Sequence, residues 1–262
     1  MVASLAPMLR DAAAVARIDC LQSFARIACE RRYVRPVLDD GKRIDIRQGR
    51  HPVIETLMKV GEQYVPNDIR LDDSSQQVIV ITGPNMSGKS ALLRQTALIV
   101  LMAQIGSYVP ATEAHIGIVD KIFTRVGASD IISQGESTFM VEMTEAAAIL
   151  HQATDRSLVL MDEIGRGTAT FDGLSLAGAI AQELVETTRS LTLFATHYFE
   201  LTQLAINLKE AANVHVSAAQ TRSKIVFLHE IEEGPASRSY GIAVAQLAGV
   251  PAPVVRRARA ML

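Results

Sequence analysis

The sequence has no apolar run long enough to cross a membrane, only two cysteines, and almost no imbalance of charge. A membrane-spanning helix needs about 20 apolar residues, and the first residues carry an acid early and lack the apolar centre of a signal peptide. Cys20 and Cys29 have no second pair beside them, which argues against a disulfide framework and against a zinc site. We therefore expect a cytoplasmic protein with no membrane partner.

The formal net charge of -2 over 262 residues excludes a chain that is basic throughout. Any contact with DNA would need a local patch or would lie outside this chain. The length suits one large domain or one and a half smaller ones, and 48% hydrophobic residues are enough for a core. Residues 1–32 have helical spacing and the chain ends in the amphipathic VVRRARAML, so we expect a segment of a longer protein.

Apolar runs alternate with helical patterns along the chain. This alternation predicts an α/β fold with a mostly parallel sheet flanked by helices. The predicted helices cover residues 89–105 and 144–152. Buried strands are predicted at residues 78–82, 157–161 and 191–196, and further strands at 121–126, in RIDI and HPVIE between residues 42 and 55, and, as an antiparallel edge, at 224–231.

A glycine loop follows the first buried strand and precedes a helix. The spacing Gly83-x-x-x-x-Gly88-Lys89-Ser90 suits phosphate binding, because backbone N–H groups and the start of a helix can surround the phosphates. Lys89 would reach the β- and γ-phosphates, and the Ser90 hydroxyl would bind Mg²⁺. The alternative is a chance glycine turn. The predicted nucleotide-binding residues here are Gly83, Pro84, Asn85, Met86, Ser87, Gly88, Lys89, Ser90 and Ala91.

Two carboxylates end the second buried strand, SLVLM. Asp162 would bind Mg²⁺, and Glu163 would position and polarise a water for hydrolysis. The alternative is that both acids only favour the start of the next helix. A third strand, LTLFAT, ends in His197, which could contact the γ-phosphate because the carboxyl ends of parallel strands share one edge. A structural histidine is the alternative there.

Several stretches together resemble the MutS mismatch-repair family, whose ATPase belongs to the ABC superfamily. They include GRHPVIE, TGPNMSGKS, QIGSYVPA, IFTRVGASD, GESTFMVEM, LVLMDEIGRGTATFDG, FATHYFEL and ASRSYGIAVAQLAGVP, in family order over most of the chain. The resemblance implies a P-loop NTPase of ABC-ATPase type that sandwiches ATP between two subunits. SGKSA and GTATFDG depart from the commoner GGKST and GTSTYDG, and neither change removes a group that the chemistry needs.

The resemblance also implies further site residues. Ser137 would reach across a dimer to the partner's ATP, and Asp172 would lie at the dimer seam. Tyr64 would stack on adenine, and His215 would lie near the nucleotide, as would Asn85 and Met86. Taken from the residues alone, Ser137 is an ordinary start of a helix.

The same resemblance divides the chain into three parts. Residues 1–36 would be the end of a lever domain, residues 37–235 the ATPase domain, and residues 236–262 a helix-turn-helix for dimerisation. The implied partners are a second copy, mismatched double-stranded DNA bound through domains outside this chain, and a downstream repair factor.

Three alternatives remain open. The chain could be a nucleotide-binding dimerisation module that turns over little ATP by itself. It could belong to a transporter or chromosome-cohesion ATPase, although it lacks the LSGGQ motif of transporters. It could also be the ATPase of the recombination-suppressing MutS paralogue.

Overall fold

The computed structural model describes residues 5–59, 61–84, 87–127, 138–220, 225–236 and 240–261. Within these residues the strands form one four-stranded and one six-stranded sheet. The strands are β1 Val37–Asp39, β2 Arg43–Gly49, β3 Asn67–Asp72, β4 Val78–Thr82, β5 Glu113–Gly117, β6 Ile122–Arg125, β7 Leu158–Asp162, β8 Leu191–Ala195, β9 Ala211–Gln220 and β10 Ile225–Glu233.

The six-stranded sheet has the order β10-β9-β4-β8-β7-β6. Its pairings are parallel except that of β10 with β9, as predicted for this edge. Every residue of β4, β7 and β8 is buried, because continuous apolar runs fit strands covered on both faces. The parallel register sets Ile81 and Asp162 opposite Ala195, so the loops after these three strands leave the sheet at one edge.

The four-stranded sheet, of order β1-β5-β2-β3, was not predicted as a separate sheet. Its β2 pairs antiparallel with both β3 and β5. The apolar residues Ile44, Ile46, Ile69 and Leu71 alternate along β2 and β3 and join the same buried core as β4 and β8. The four-stranded sheet therefore packs into the same core as β4, β8 and the helix that follows the glycine loop.

The predicted strand in HPVIE is wrong, whereas RIDI lies in β2 as expected. The chain turns after Arg50 and forms a short helix at Ile54–Leu57 (α2). The buried His51 explains the turn, because its Nδ1 accepts hydrogen bonds from the backbone N–H groups of Val53 and Ile54, each at 3.2 Å. These bonds satisfy amides at the start of a helix and leave none for a strand ladder.

Helices cover the sheets and extend from them. The longer ones are α1 Leu5–Arg31, α3 Lys89–Gln104, α4 Thr138–Gln152 and α5 Thr170–Glu183, with the shorter α6 Leu204–Asn207, α7 Gly241–Leu247 and α8 Ala252–Met261 after them. The predicted N-terminal helix is confirmed as α1, in which only Ala28 is buried among the described residues. No helix in the described part of the chain is both long and apolar enough to span a membrane.

Candidate nucleotide site

The glycine loop joins β4 to α3, as its spacing predicted. Gly88 caps α3 with a left-handed φ of 110°, and Lys89 is the first helical residue. Ser87 is fully buried and its Oγ has no hydrogen-bond partner. Asn85 and Met86 lie outside the described residues, so their predicted contacts stay predictions.

Lys89 is a buried cation at the base of this loop. Its side chain is 4% exposed, and its Nζ donates to the carbonyl oxygens of Gly83 at 2.9 Å and Pro84 at 3.2 Å. Glu163 Oε1 lies 3.6 Å from the same Nζ. Burial lowers the pKa of Lys89, and the charges of Glu163 and Asp162 oppose that shift. A buried ammonium that donates to backbone carbonyls and lies near two carboxylates can bind an anionic ligand directly or through a metal ion that these carboxylates hold.

Asp162, the last residue of β7, is buried beside Ser90. Burial raises the pKa of Asp162, although a hydrogen bond from the Ser90 side chain opposes the rise. Its Oδ1 has no hydrogen-bond partner. An unpaired buried carboxylate oxygen next to a hydroxyl fits Mg²⁺, which takes oxygen ligands and uses few protein carboxylates alongside water and phosphate. Among the described residues no cluster of three or more His, Cys, Asp or Glu side chains could hold a metal.

Glu163 follows directly and has the left-handed φ of 57°. His197 Nε2 donates to its Oε1, and Arg166 Nη1 donates to its Oε2. Burial raises the pKa of Glu163, but the hydrogen bond and charge of His197, with the charges of Arg166 and Lys89, outweigh it and lower the pKa to about 2. Glu163 is therefore a carboxylate at any physiological pH.

His197 reaches Glu163 from the loop after β8. The amide N–H of Glu163 donates to the carbonyl of Ala195 at 2.9 Å, and that of Thr196 donates to Ile81 at 3.0 Å. Thr196 Oγ1 in turn accepts from the N–H of Tyr198 at 3.0 Å, which shapes the turn that carries His197. The structure thus brings together Lys89, Asp162, Glu163 and His197, hereafter the polar edge.

An apolar cavity of about 200 Å³ lies beside the glycine loop and includes Tyr64 in its wall. The Tyr64 hydroxyl donates to Oε1 of the buried Gln95 at 2.8 Å, and burial raises the pKa of Tyr64 to about 12. The bond ties the Tyr64 ring to α3, the helix that begins in the loop. The remaining apolar wall comes from Ile54, Met58, Val65, Ala91, Leu92, Val216 and Ile231.

The histidine in this wall is His229, which was not predicted as a site residue. His229 sits at the irregularity between Phe227 and Ile231 in β10, with a φ of 57°. Its Nδ1 donates to the Ser87 carbonyl at 2.6 Å. His215 lies in β9 opposite Thr82, the residue before the glycine loop, and its Nδ1 donates to the Gly234 carbonyl at 3.0 Å. Its predicted place near the nucleotide stays a prediction.

Sequence reasoning missed His229, Arg166 and Gln95. Nothing in the residues around His229 indicates the bulge in β10 that turns its side chain toward the glycine loop. Arg166 lies three residues after Glu163, and that spacing is the one signal that could have found it. Gln95 lies in the middle of α3, where nothing in the sequence marks it as the anchor of a distant tyrosine.

Of the two residues predicted to act across a dimer, Asp172 is in the described part of the chain and Ser137 is not. Asp172 lies in the first turn of α5 and is exposed, beside Phe171, which is 83% exposed. Ser137 lies outside the described residues, immediately before α4.

The structure is an α/β domain with a mostly parallel six-stranded sheet, and comparison with known proteins assigns a family to it. The family described as MutS domain V matches residues 79–262. That match covers more than half of the chain, and the chain belongs to this family.

Individual relatives extend the similarity beyond the residues of the family match. The chain is 58% identical over 250 residues to the DNA mismatch repair protein MutS of Bacteroides thetaiotaomicron, covering 95% of the chain and 29% of that relative. The protein of the same name from Cytophaga hutchinsonii is 57% identical over 258 residues, covering 98% of the chain and 30% of the relative. That of Syntrophobacter fumaroxidans is 57% identical over 250 residues, covering 95% and 28%. The chain thus spans somewhat under a third of the length of the curated relatives it matches.

Proposed function

We propose that this domain is the ATP-binding and ATP-hydrolysing motor of a MutS-type DNA mismatch repair protein, a P-loop NTPase of ABC-ATPase type. One observation carries the proposal. The polar edge gathers a buried cation, an unpaired carboxylate oxygen, an ionised carboxylate and a histidine at the carboxyl ends of three adjacent parallel strands. This is the place in an open α/β sheet where ligands bind. The names of the relatives support the mismatch-repair context.

Each residue of the polar edge has a distinct task in this proposal. Lys89 exchanges loop carbonyls for phosphate oxygens and offsets their charge, while Ser90 and Asp162 hold Mg²⁺. Mg²⁺, when bound, would neutralise charge that develops on the phosphates. Glu163 orients the attacking water as an ionised carboxylate. His197 holds Glu163 in place through its Nε2 and faces the γ-phosphate.

The proposal includes a second copy of the chain. ATP would be sandwiched at a dimer interface to which Ser137 and Asp172 contribute, with the segment 236–262 supporting the same contact. The first turn of α5 is exposed, including Asp172 and the 83% exposed Phe171, so a second copy could reach it. ATP binding would be coupled to the clamp state on mismatched DNA, held by parts of the parent protein outside this chain, and a downstream repair factor would respond.

A nucleotide-binding module with little turnover by itself is the second candidate. The observation that favours it is the state of Glu163, because both of its oxygens are engaged, by His197 and by Arg166. A carboxylate held in this way must release one partner before it can orient water. In this case the isolated chain would bind ATP and hydrolyse it only when a partner copy or DNA rearranges Arg166.

A titration of ATP with and without Mg²⁺ tests the proposed function. We expect the affinity for ATP to rise when Mg²⁺ is added to the wild-type chain and to become insensitive to Mg²⁺ in Asp162→Asn. Gln152→Ala, on the last residue of α4, serves as a surface control that keeps the response to Mg²⁺. Equal affinity in the wild-type chain with and without Mg²⁺ would contradict the assignment of Asp162 and Ser90.

A further inference from the structure

The turn of residues 163–169, which carries Glu163 into α5, is held at Gly165 by three separate elements. The carbonyl of Gly165 accepts a hydrogen bond from the Tyr198 hydroxyl at 2.9 Å. Its N–H donates to Oε1 of Glu142, in α4, at 3.0 Å. A Cβ on Gly165 would stand 2.5 Å from the Gly173 carbonyl of α5, and its φ is +90°, so only glycine fits. The turn therefore has little freedom to move independently of its neighbours.

Glu142 is a buried carboxylate, 5% exposed, that the proposed chemistry does not use. Its Oε1 lies 3.9 Å from Nη2 of the equally buried Arg125, at the end of β6. Arg125 also places its Nε 3.0 Å from Oε2 of Glu145, a side chain that is 50% exposed. Burying a charge is costly unless it is paired and hydrogen-bonded. Packing alone would favour an apolar residue here, so the charge at Glu142 indicates a specific task.

The position of Glu142 on α4 suggests what that task is. It lies about one turn into a helix that begins at Thr138, so its side chain moves with the start of that helix. The same helix touches the turn a second time, because a Cβ on Gly167 would stand 2.8 Å from the Cβ of Phe139. A shift of α4 would thus be passed to the turn through one hydrogen bond and one close contact.

We propose that Glu142 is a positioning residue that couples α4 to the turn carrying Glu163, so that the position of α4 determines the orientation of the Glu163 carboxylate. The inference rests on the proposed function, since it assumes that Glu163 serves ATP turnover. Glu163 has a left-handed φ of 57° and lies two residues before Gly165. Its backbone orientation therefore depends on how the turn is held.

Turnover and affinity of three variants test this coupling. Misplacing a reacting group by 1 Å costs on the order of 100-fold in rate, so we expect Glu142→Ala to lower the turnover rate at saturating ATP about 10- to 100-fold. Its affinity for ATP should fall much less than its rate, since Glu142 shares a cavity with Asp162 and Glu163 but hydrogen-bonds the turn and not Lys89. Glu142→Gln keeps an oxygen acceptor for the Gly165 N–H and should recover most of the rate. Glu145→Ala removes the other partner of Arg125 without touching the turn and should turn over like the wild-type chain.

Hydrogen exchange of the Gly165 amide gives a second readout that needs no nucleotide. We expect faster exchange in Glu142→Ala, and exchange close to that of the wild-type chain in Glu142→Gln and Glu145→Ala. Wild-type turnover in Glu142→Ala, or unchanged exchange at Gly165, would overturn the proposal. Absence of turnover in the wild-type chain would count against the proposed function instead, while the exchange rates would still decide whether Glu142 holds the turn.

Discussion

The polar edge and the apolar cavity lie on two sides of one glycine loop and are built in opposite ways. The polar edge gathers charged groups that are partly or fully buried and that change one another's pKa values. The cavity is lined mainly by apolar side chains, with Tyr64 fixed to α3 by a single hydrogen bond to Gln95. In the proposed function, the first arrangement would hold the triphosphate and carry out the reaction, and the second would hold the base. Changes on the polar edge should therefore affect rate and binding strongly, whereas changes in the cavity should affect binding modestly.

The largest effect is expected at Glu163. Glu163→Gln should lower the rate of ATP hydrolysis by about 10²- to 10⁴-fold, the usual contribution of a general base, while ATP still binds. Phosphate release under single-turnover conditions measures the rate, and an ATP titration measures binding. Glu62→Gln, an exposed glutamate away from the polar edge, is the matched control. A wild-type rate in Glu163→Gln would remove Glu163 from the mechanism.

The next largest effect is expected from loss of the buried cation, Lys89. Lys89→Ala removes a charge-assisted contact and should weaken ATP binding by about 1.5–3 kcal/mol. Titration of ATP into the variant measures this, with Lys209→Ala, an exposed lysine, as the comparison. Unchanged affinity in Lys89→Ala would count against phosphate binding by the glycine loop.

The pH dependence of stability should show the ionised state of Glu163. Its pKa in the folded chain is about 2, below the ordinary value of 4.5. The stabilisation of the fold by ionised Glu163 is therefore complete above pH 4.5 and is lost as the pH falls toward 2. The free energy of unfolding of the wild-type chain should fall through this window by about 1–3 kcal/mol more than that of Glu163→Gln. Parallel curves for the two proteins would show that His197 and Arg166 do not hold Glu163.

The smallest effect is expected in the cavity. Tyr64→Ala should weaken ATP binding by about 0.5–1.5 kcal/mol, the value of an aromatic contact, without changing the affinity for inorganic triphosphate. Tyr64→Phe keeps the ring and loses only the bond to Gln95, so it should stay closer to the wild-type affinity for ATP. Equal weakening of ATP and triphosphate in Tyr64→Ala would mean that the cavity does not hold the base.

The same contrast explains how much of the molecule the sequence predicts. The polar edge can be predicted from short contiguous stretches of sequence. Asp162 ends a buried strand, His197 follows one, and Lys89 follows the glycine loop after another. The strands β4, β7 and β8 are predictable for the same reason, since continuous apolar runs mark buried strands. The cavity joins residues from α3 and β10 with the segment before β3, and only packing brings them together.

The remaining errors have local physical causes. HPVIE alternates like a strand, but His51 takes up the amides that a ladder would need. In the four-stranded sheet, β5 lies far along the chain from β1 and β2 and yet pairs with both, so this pairing leaves no local pattern. His229 turns toward the glycine loop only because β10 is irregular at that point. Its placement depends on the backbone and not on the residues that flank it.

The dependence of ATP hydrolysis on protein concentration decides whether the polar edge is an ATPase site that a second copy of the chain completes. Specific activity should therefore rise with concentration and then level off, and Glu163→Gln should abolish it throughout. A specific activity that is measurable but independent of concentration would contradict the account, because each chain would then complete its own site.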